Sequence, residues 1–155
     1  MKLVSLILAS SLMALPVVAS AAAIERVGVP TAGIAQMVIV PAGSDIAFVS
    51  GMTPGAPGQP KPVGTEAQTF DILTKMSALL KSKGMSMGDI VVMRVFLGVD
   101  PAMDNHADRA GMNKAFAKFF GTAENPNKPA RTTVAVTDMA VGSFVEIDAQ
   151  AARAH

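Results

Sequence analysis

The feature that most limits how this chain can fold is the stretch from Asp89 to Val99. Ile90, Val91, Val92, Met93, Val95, Phe96, Leu97 and Val99 make it apolar at both parities, broken only by Arg94 and Gly98. Successive side chains of a strand point to opposite sides, so this strand asks for cover on both faces. The rest of the chain offers little with which to cover it. Thr65 to Lys83 reads as one helix, with Thr65 and Gln68 in capping-box spacing and Gly84 placed to end it. Phe70, Leu73, Met76 and Leu80 form its apolar stripe, widened by Ile72 and Leu79. A second helix is expected to open at Asp100-Pro101 and to carry Met103, Ala107, Ala110, Phe116, Phe119 and Phe120.

Strands fill most of the remainder. Ala35 to Val40 and Ile46 to Ser50 read as a hairpin turning at Pro41 to Asp45. Arg131 to Val136 and Phe144 to Gln150 read as two final strands turning at Asp138 to Ser143. Gly51 to Gly64 and Gly121 to Pro129 are rich in turn-forming residues and read as surface loops. The order is β-β-α-β-α-β-β, an α+β fold of one sheet with both helices on one face. Two helices cannot cover both faces, so other copies of the chain are expected to cover the second.

The first 21 residues stand outside this pattern. Met1-Lys2, an apolar run from Leu3 to Val18 and the small residues Ala19-Ser20-Ala21 read as a secretory signal cleaved after Ala21. A periplasmic or secreted protein of one domain, residues 22–155, is then expected, with no membrane attachment after cleavage. With Lys2 set aside, twelve basic residues face twelve acidic ones, a balance that argues against nucleic acid as a partner. The absence of cysteine excludes disulfides and a thiol nucleophile. Nine methionines follow the signal but sit mostly at core-like spacings, so no metal site is expected. His106 and His155 read as solvated, and Asp138 and Asp148 as turn and surface groups.

Strand parity sorts the candidate site. Val134 and Val136 point one way from their strand, and Arg131, Thr133 and Ala135 the other. Val145, Ile147 and Ala149 oppose Glu146 and Asp148. If the aliphatic sides meet the helices, Arg131 and Glu146 approach a subunit interface on the same face from adjacent strands. They could form a structural ion pair, or Arg131 could offer its guanidinium fork to a ligand carboxylate. Pattern leaves both open.

Several stretches resemble, in order and spacing, the Rid (YjgF-like) family of reactive enamine and imine deaminases. They are Phe48-Val49-Ser50-Gly51, Gln68-Thr69 with Leu73 to Leu80, Gly84 to Val91, and Met112-Asn113-Lys114-Ala115-Phe116 with Phe119-Phe120. Pro129-Ala130-Arg131-Thr132-Thr133-Val134 and Val145-Glu146-Ile147-Asp148-Ala149 complete the set and are its most specific members. The resemblance implies a chorismate-mutase-like homotrimer with clefts between subunits and no cofactor. It implies that Arg131 binds the carboxylate of a small 2-imino or 2-enamino acid, which is hydrolysed to a 2-keto acid and ammonium. Glu146 would position the attacking water and Asn113 would support the site, with Ser50 and Gly51 lining it. The chain departs from the family pattern at Ile34, which stands where the family has a pocket tyrosine, and at Thr133, often cysteine there. These departures leave room for a second function, a non-catalytic trimer that binds a small carboxylate or acts as a chaperone.

Overall fold

The computed structural model describes residues 22–155, so the expected signal segment lies outside the described residues. Eight elements follow one another: β1 (Glu25–Val27), β2 (Met37–Ile39), β3 (Asp45–Met52), α1 (Thr65–Lys81), β4 (Ile90–Leu97), α2 (Arg109–Phe116), β5 (Ala130–Ala135) and β6 (Val145–Arg153). The fold is α+β, as expected. Four strands form the main sheet in the order β3-β6-β4-β5, and β1 pairs with β2 in a small separate sheet.

Two expected strand pairings are corrected. The segments at 35–40 and 46–50 do not form a hairpin with each other. β2 pairs antiparallel with β1 instead, and β3 pairs with β6. The last two strands are not neighbours either, because β4 lies between them, parallel to β5 and antiparallel to β6. The connection from Val136 to Phe144 is long enough to cross a strand spacing twice, about 10 Å. It passes over the end of β4, where Val136 donates to the Leu97 carbonyl and Gly98 to the Phe144 carbonyl.

The helices cover one face only. Met93, Val95 and Leu97 of β4 pack with Val145, Ile147, Ala149 and Ala151 of β6 beneath Ile72, Leu73 and Met76 of α1, all buried. Ile72 therefore belongs to the core stripe, whereas Phe70 and Leu79 lie half exposed at its flanks. The opposite parity forms an open face: Phe48 of β3 is 76 % exposed, and Arg94 pairs with Asp148 across β4 and β6 at 2.9 Å.

The helix ends differ from expectation in instructive ways. Gly84, at φ +70°, terminates α1. Met85 donates to the Leu80 carbonyl and Gly84 to the Lys81 carbonyl, the 6→1 and 5→2 bonds of a Schellman motif. At the other end Thr65 and Gln68 do not cap the helix: its N-cap is Gly64, which makes no side-chain cap. Thr65 Oγ1 donates to Asp100, and Gln68 reaches out to three loop backbone groups. The second helix starts later than expected. Pro101–Met103 is one 3₁₀ turn, and Asp104 and Asn105 then adopt left-handed backbone that breaks the helix. Asp108, whose side chain accepts from Gly111, caps α2.

Candidate functional site

Arg131 is the second residue of β5, and the parallel register sets it beside Met93. Because Met93 faces the helices, so does Arg131. Its guanidinium lies against α2, with Nη2 donating to Asn113 Oδ1 at 2.8 Å and Nη1 to Met112 Sδ at 3.5 Å. Its Cζ stands over the Phe116 ring, 4.3 Å from the centroid. These contacts fix the fork without neutralising it. Arg131 makes no ion pair among the described residues, and burial, followed by repulsion from Arg109, lowers its pKa. A half-buried cation held by neutral groups is stabilised by an incoming anion.

The guanidinium borders a cleft of about 370 Å³ lined by Gly33, Ile34, Asn113, Phe116, Phe120 and Arg131. Ile34 is brought there by backbone bonds to the sheet edge: Ala35 donates to the Pro129 carbonyl and forms a bridge with Ala130. Two cations hold the segment down. Arg26 donates to the carbonyls of Gly88, Ile90 and Lys128, and Lys128 to those of Pro30 and Ala32. A larger depression, about 560 Å³, lies beside the start of α1, but there Lys118 is paired with Glu66 and Asp100 is bonded to Thr65.

Glu146 lies elsewhere. It pairs in register with Phe96, on the parity of Arg94 and Asp148, and so on the open face. The expectation that Arg131 and Glu146 share a face is therefore corrected. The premise that failed is that the aliphatic side of β5 meets the helices: Val134 points to the open face and is 40 % exposed. With the two residues on opposite faces and β4 between their strands, a structural ion pair within one chain is excluded. Glu146 is half-buried and has no ion-pair partner among the described residues. Gly51, in the irregular stretch of β3 between Val49 and Met52, packs directly on it; a Cβ at Gly51 would overlap Glu146 Oε1. Ser50 is exposed beside Gly51.

The expected site residues thus fall into two groups. Ile34, Asn113 and Arg131 meet in the cleft at the α2–β5 edge, with Thr133 next along the strand. Ser50, Gly51 and Glu146 meet on the open face. Thr133 Oγ1 is buried without a hydrogen-bond partner. Sequence reasoning missed Arg109, whose Nη1 donates to the Thr133 carbonyl at 3.2 Å. Its spacing of four from Asn113 on one helix was the available signal. Among the described residues no three His, Cys, Asp or Glu side chains are grouped to hold a metal ion. His155 pairs with Asp45 at 2.9 Å, and His106 Nδ1 lies 2.9 Å from its neighbour's backbone, the Asp104 carbonyl.

Together, the sheet order and the edge cleft define a small α+β protein built to present a fixed, uncompensated guanidinium. The family model for endoribonuclease L-PSP matches residues 31–153, and the chain belongs to that family, also known as the YjgF, RutC or Rid family. A RutC family protein of Pyrococcus horikoshii is 30% identical over 104 residues, covering 66% of this chain and 75% of that one. Protein DfrA of Myxococcus xanthus is 32% identical over 116 residues, covering 74% and 80%. The crystal structure of E. coli TdcF with bound serine superposes with a TM-score of 0.59 at 27% identity, covering 83% of this chain and 98% of that one. The conserved Rid family protein YyfB of Yersinia pestis shares the fold with a TM-score of 0.65 at 21% identity, covering 84% and 98%. Membership supports a general role in imine or enamine deamination or in small-molecule binding.

Proposed function

We propose that this protein hydrolyses small 2-imino and 2-enamino acids to 2-keto acids and ammonium, with Arg131 holding the carboxylate. The observation that carries this reading is the state of Arg131: fixed by Asn113, Met112 and Phe116, open to a cleft, and without a carboxylate of its own. Asn113 spends its carbonyl on the guanidinium, which leaves its amide N–H groups to donate toward the bound acid.

The imine carbon beside that carboxylate is already electrophilic. Water adds to it and gives one proton to nitrogen. The hydroxyl of the resulting carbinolamine then gives up its proton to the nitrogen as the carbon–nitrogen bond breaks. This leaves the keto group and ammonia, which takes a proton from solvent to become ammonium. Positioning supplies most of what such a reaction needs. Glu146 is the residue assigned to the water. Since it lies on the face opposite Arg131, a complete site takes Arg131, Asn113 and Ile34 from one copy and Glu146, Ser50 and Gly51 from the next. A homotrimer that covers the open sheet face of each copy supplies that arrangement, and residues 1–21 would direct the protein to the periplasm or outside the cell.

The bound serine named for TdcF supports an amino-acid-sized ligand in this fold. The apolar side chain of Ile34 at the cleft wall favours a second reading, a trimer that binds a small carboxylate without turning it over.

One experiment separates the two. 2-Iminobutanoate is generated in situ with an amino-acid oxidase, and its trapping by semicarbazide is followed with the protein lacking residues 1–21. The deaminase reading predicts suppressed semicarbazone formation, abolished by Arg131→Ala. Unaltered trapping, with ligand-dependent stabilisation that Arg131→Ala removes, would establish the binder instead.

A further inference from the structure

Beside Arg131, just outside the residues that line its cleft, stands a second cation that the reaction above does not use. Arg109 and Asn113 lie four residues apart on one face of α2, about 6 Å along its axis. Thr133 and Arg131 lie two apart on one side of β5, about 6.6 Å along the strand. The two pairs are cross-bonded in order: Arg109 Nη1 to the Thr133 carbonyl at 3.2 Å, and Arg131 Nη2 to Asn113 Oδ1 at 2.8 Å. Two guanidinium groups therefore stand on successive rungs between one helix and one strand. Neither has a carboxylate within ion-pair distance among the described residues. The Thr133 hydroxyl, on the same side of β5 as Arg131, is buried and has no hydrogen-bond partner among the described residues.

Two like charges placed together with no ion-pair partner among the described residues raise each other's energy, and the repulsion adds to burial in lowering the pKa of Arg131. A structural brace for the edge strand would not need a second charge at this point. We propose that Arg109 and Arg131 form a two-point site for a small dicarboxylate, so that the preferred substrates are 2-imino or 2-enamino dicarboxylates of four or five carbons. This inference rests on the reading of Arg131 as a carboxylate holder. The reacting end of the ligand lies on the half-buried Arg131 and the distal acid on the exposed Arg109. With backbone-like bond lengths, such a molecule separates its acid groups by about 4–5 Å, which suits forks approached from rungs roughly 6–7 Å apart.

The test compares stable probes of equal chain length, succinate against butyrate and glutarate against valerate, by NMR titration at low ionic strength. Wild type is expected to bind each diacid about tenfold more tightly than its monoacid. Arg109→Gln weakens the diacids and brings both ratios near one. Arg109→Lys keeps the charge without the fork and retains most of the preference, so the loss in Arg109→Gln is read as charge and not as a disturbed α2–β5 seam. Equal affinities in wild type, or a diacid preference that persists in Arg109→Gln, would overturn the proposal while leaving the role of Arg131 intact. Butyrate binding that survives Arg131→Ala, or no binding of any of the four acids by wild type, removes the carboxylate reading and this inference with it.

Discussion

Arg131 shows how far one residue can be read from a sequence. Its type left an ion pair and a ligand fork both open and only the resemblance of its motif, Pro129-Ala130-Arg131-Thr132, implied a carboxylate holder, whereas its direction depended on which side of β5 the helices cover. The apolar count of that strand pointed the wrong way, because Val134 and Val136 look like core residues until β5 is known to be an edge strand with an open face. Glu146 was legible in direction, since Val145, Ile147 and Ala149 are buried as its alternation requires. Its companion Gly51 yields a residue-scale prediction. A methyl group there would occupy the space of the Glu146 carboxylate and turn it away, without touching the helix-face core. Gly51→Ala is expected to lower kcat for imine hydrolysis at least about tenfold while changing the unfolding free energy by less than about 1 kcal/mol. Paired steady-state kinetics and chemical denaturation would check both numbers, and a stability loss equal to that of a core substitution would show that Gly51 serves the fold.

At the scale of elements, the long apolar helix α1, the strand β4 and the stop at Gly84 were legible because each is decided locally, by periodicity or by a left-handed backbone position. Caps and pairings were not. The same Ser/Thr-x-x-acidic-or-amide spacing occurs at Thr65-Gln68 and at Ser86-Asp89, and only the second is a capping box, with Ser86 N–H donating to Asp89 Oδ2 at 2.7 Å. Gln68 is drawn elsewhere by tertiary structure. Its amide donates to the carbonyls of Pro62 and Gly142 at 3.0 and 2.8 Å and accepts from Phe144 N–H at 2.7 Å. One buried side chain thus joins the loop before α1 to the turn before β6. Gln68→Ala leaves these backbone groups with lost partners and is expected to cost about 2–3 kcal/mol, measured by urea denaturation. A cost below about 0.5 kcal/mol would mean that water replaces the amide there. The second helix fared worst, since nothing local in Pro101 to His106 announces the left-handed pair Asp104-Asn105 that postpones α2 to Arg109.

Over the whole molecule, the mismatch noted first in the sequence, a doubly apolar strand with cover for one side, persists in the fold. Met93, Val95 and Leu97 are buried beneath the helices, and Phe48, Ile46 and Val134 remain exposed on the open face that also carries Glu146. The same geometry separates the two groups assigned to the proposed hydrolysis, Arg131 at the helix-side edge and Glu146 on the open face. A cleft completed by a second copy satisfies both facts at once. On this proposal half of each site belongs to another molecule, which is why the site could be only half read from one chain. Co-expression of Arg131→Ala with Glu146→Gln tests this most directly. Each variant alone is inactive, but in randomly mixed trimers about one cleft in four pairs an intact Arg131 with an intact Glu146. Semicarbazone trapping should therefore show about a quarter of wild-type activity in the mixture, and a mixture as inactive as its parts, in trimers shown by mass to contain both chains, would contradict a site shared between copies.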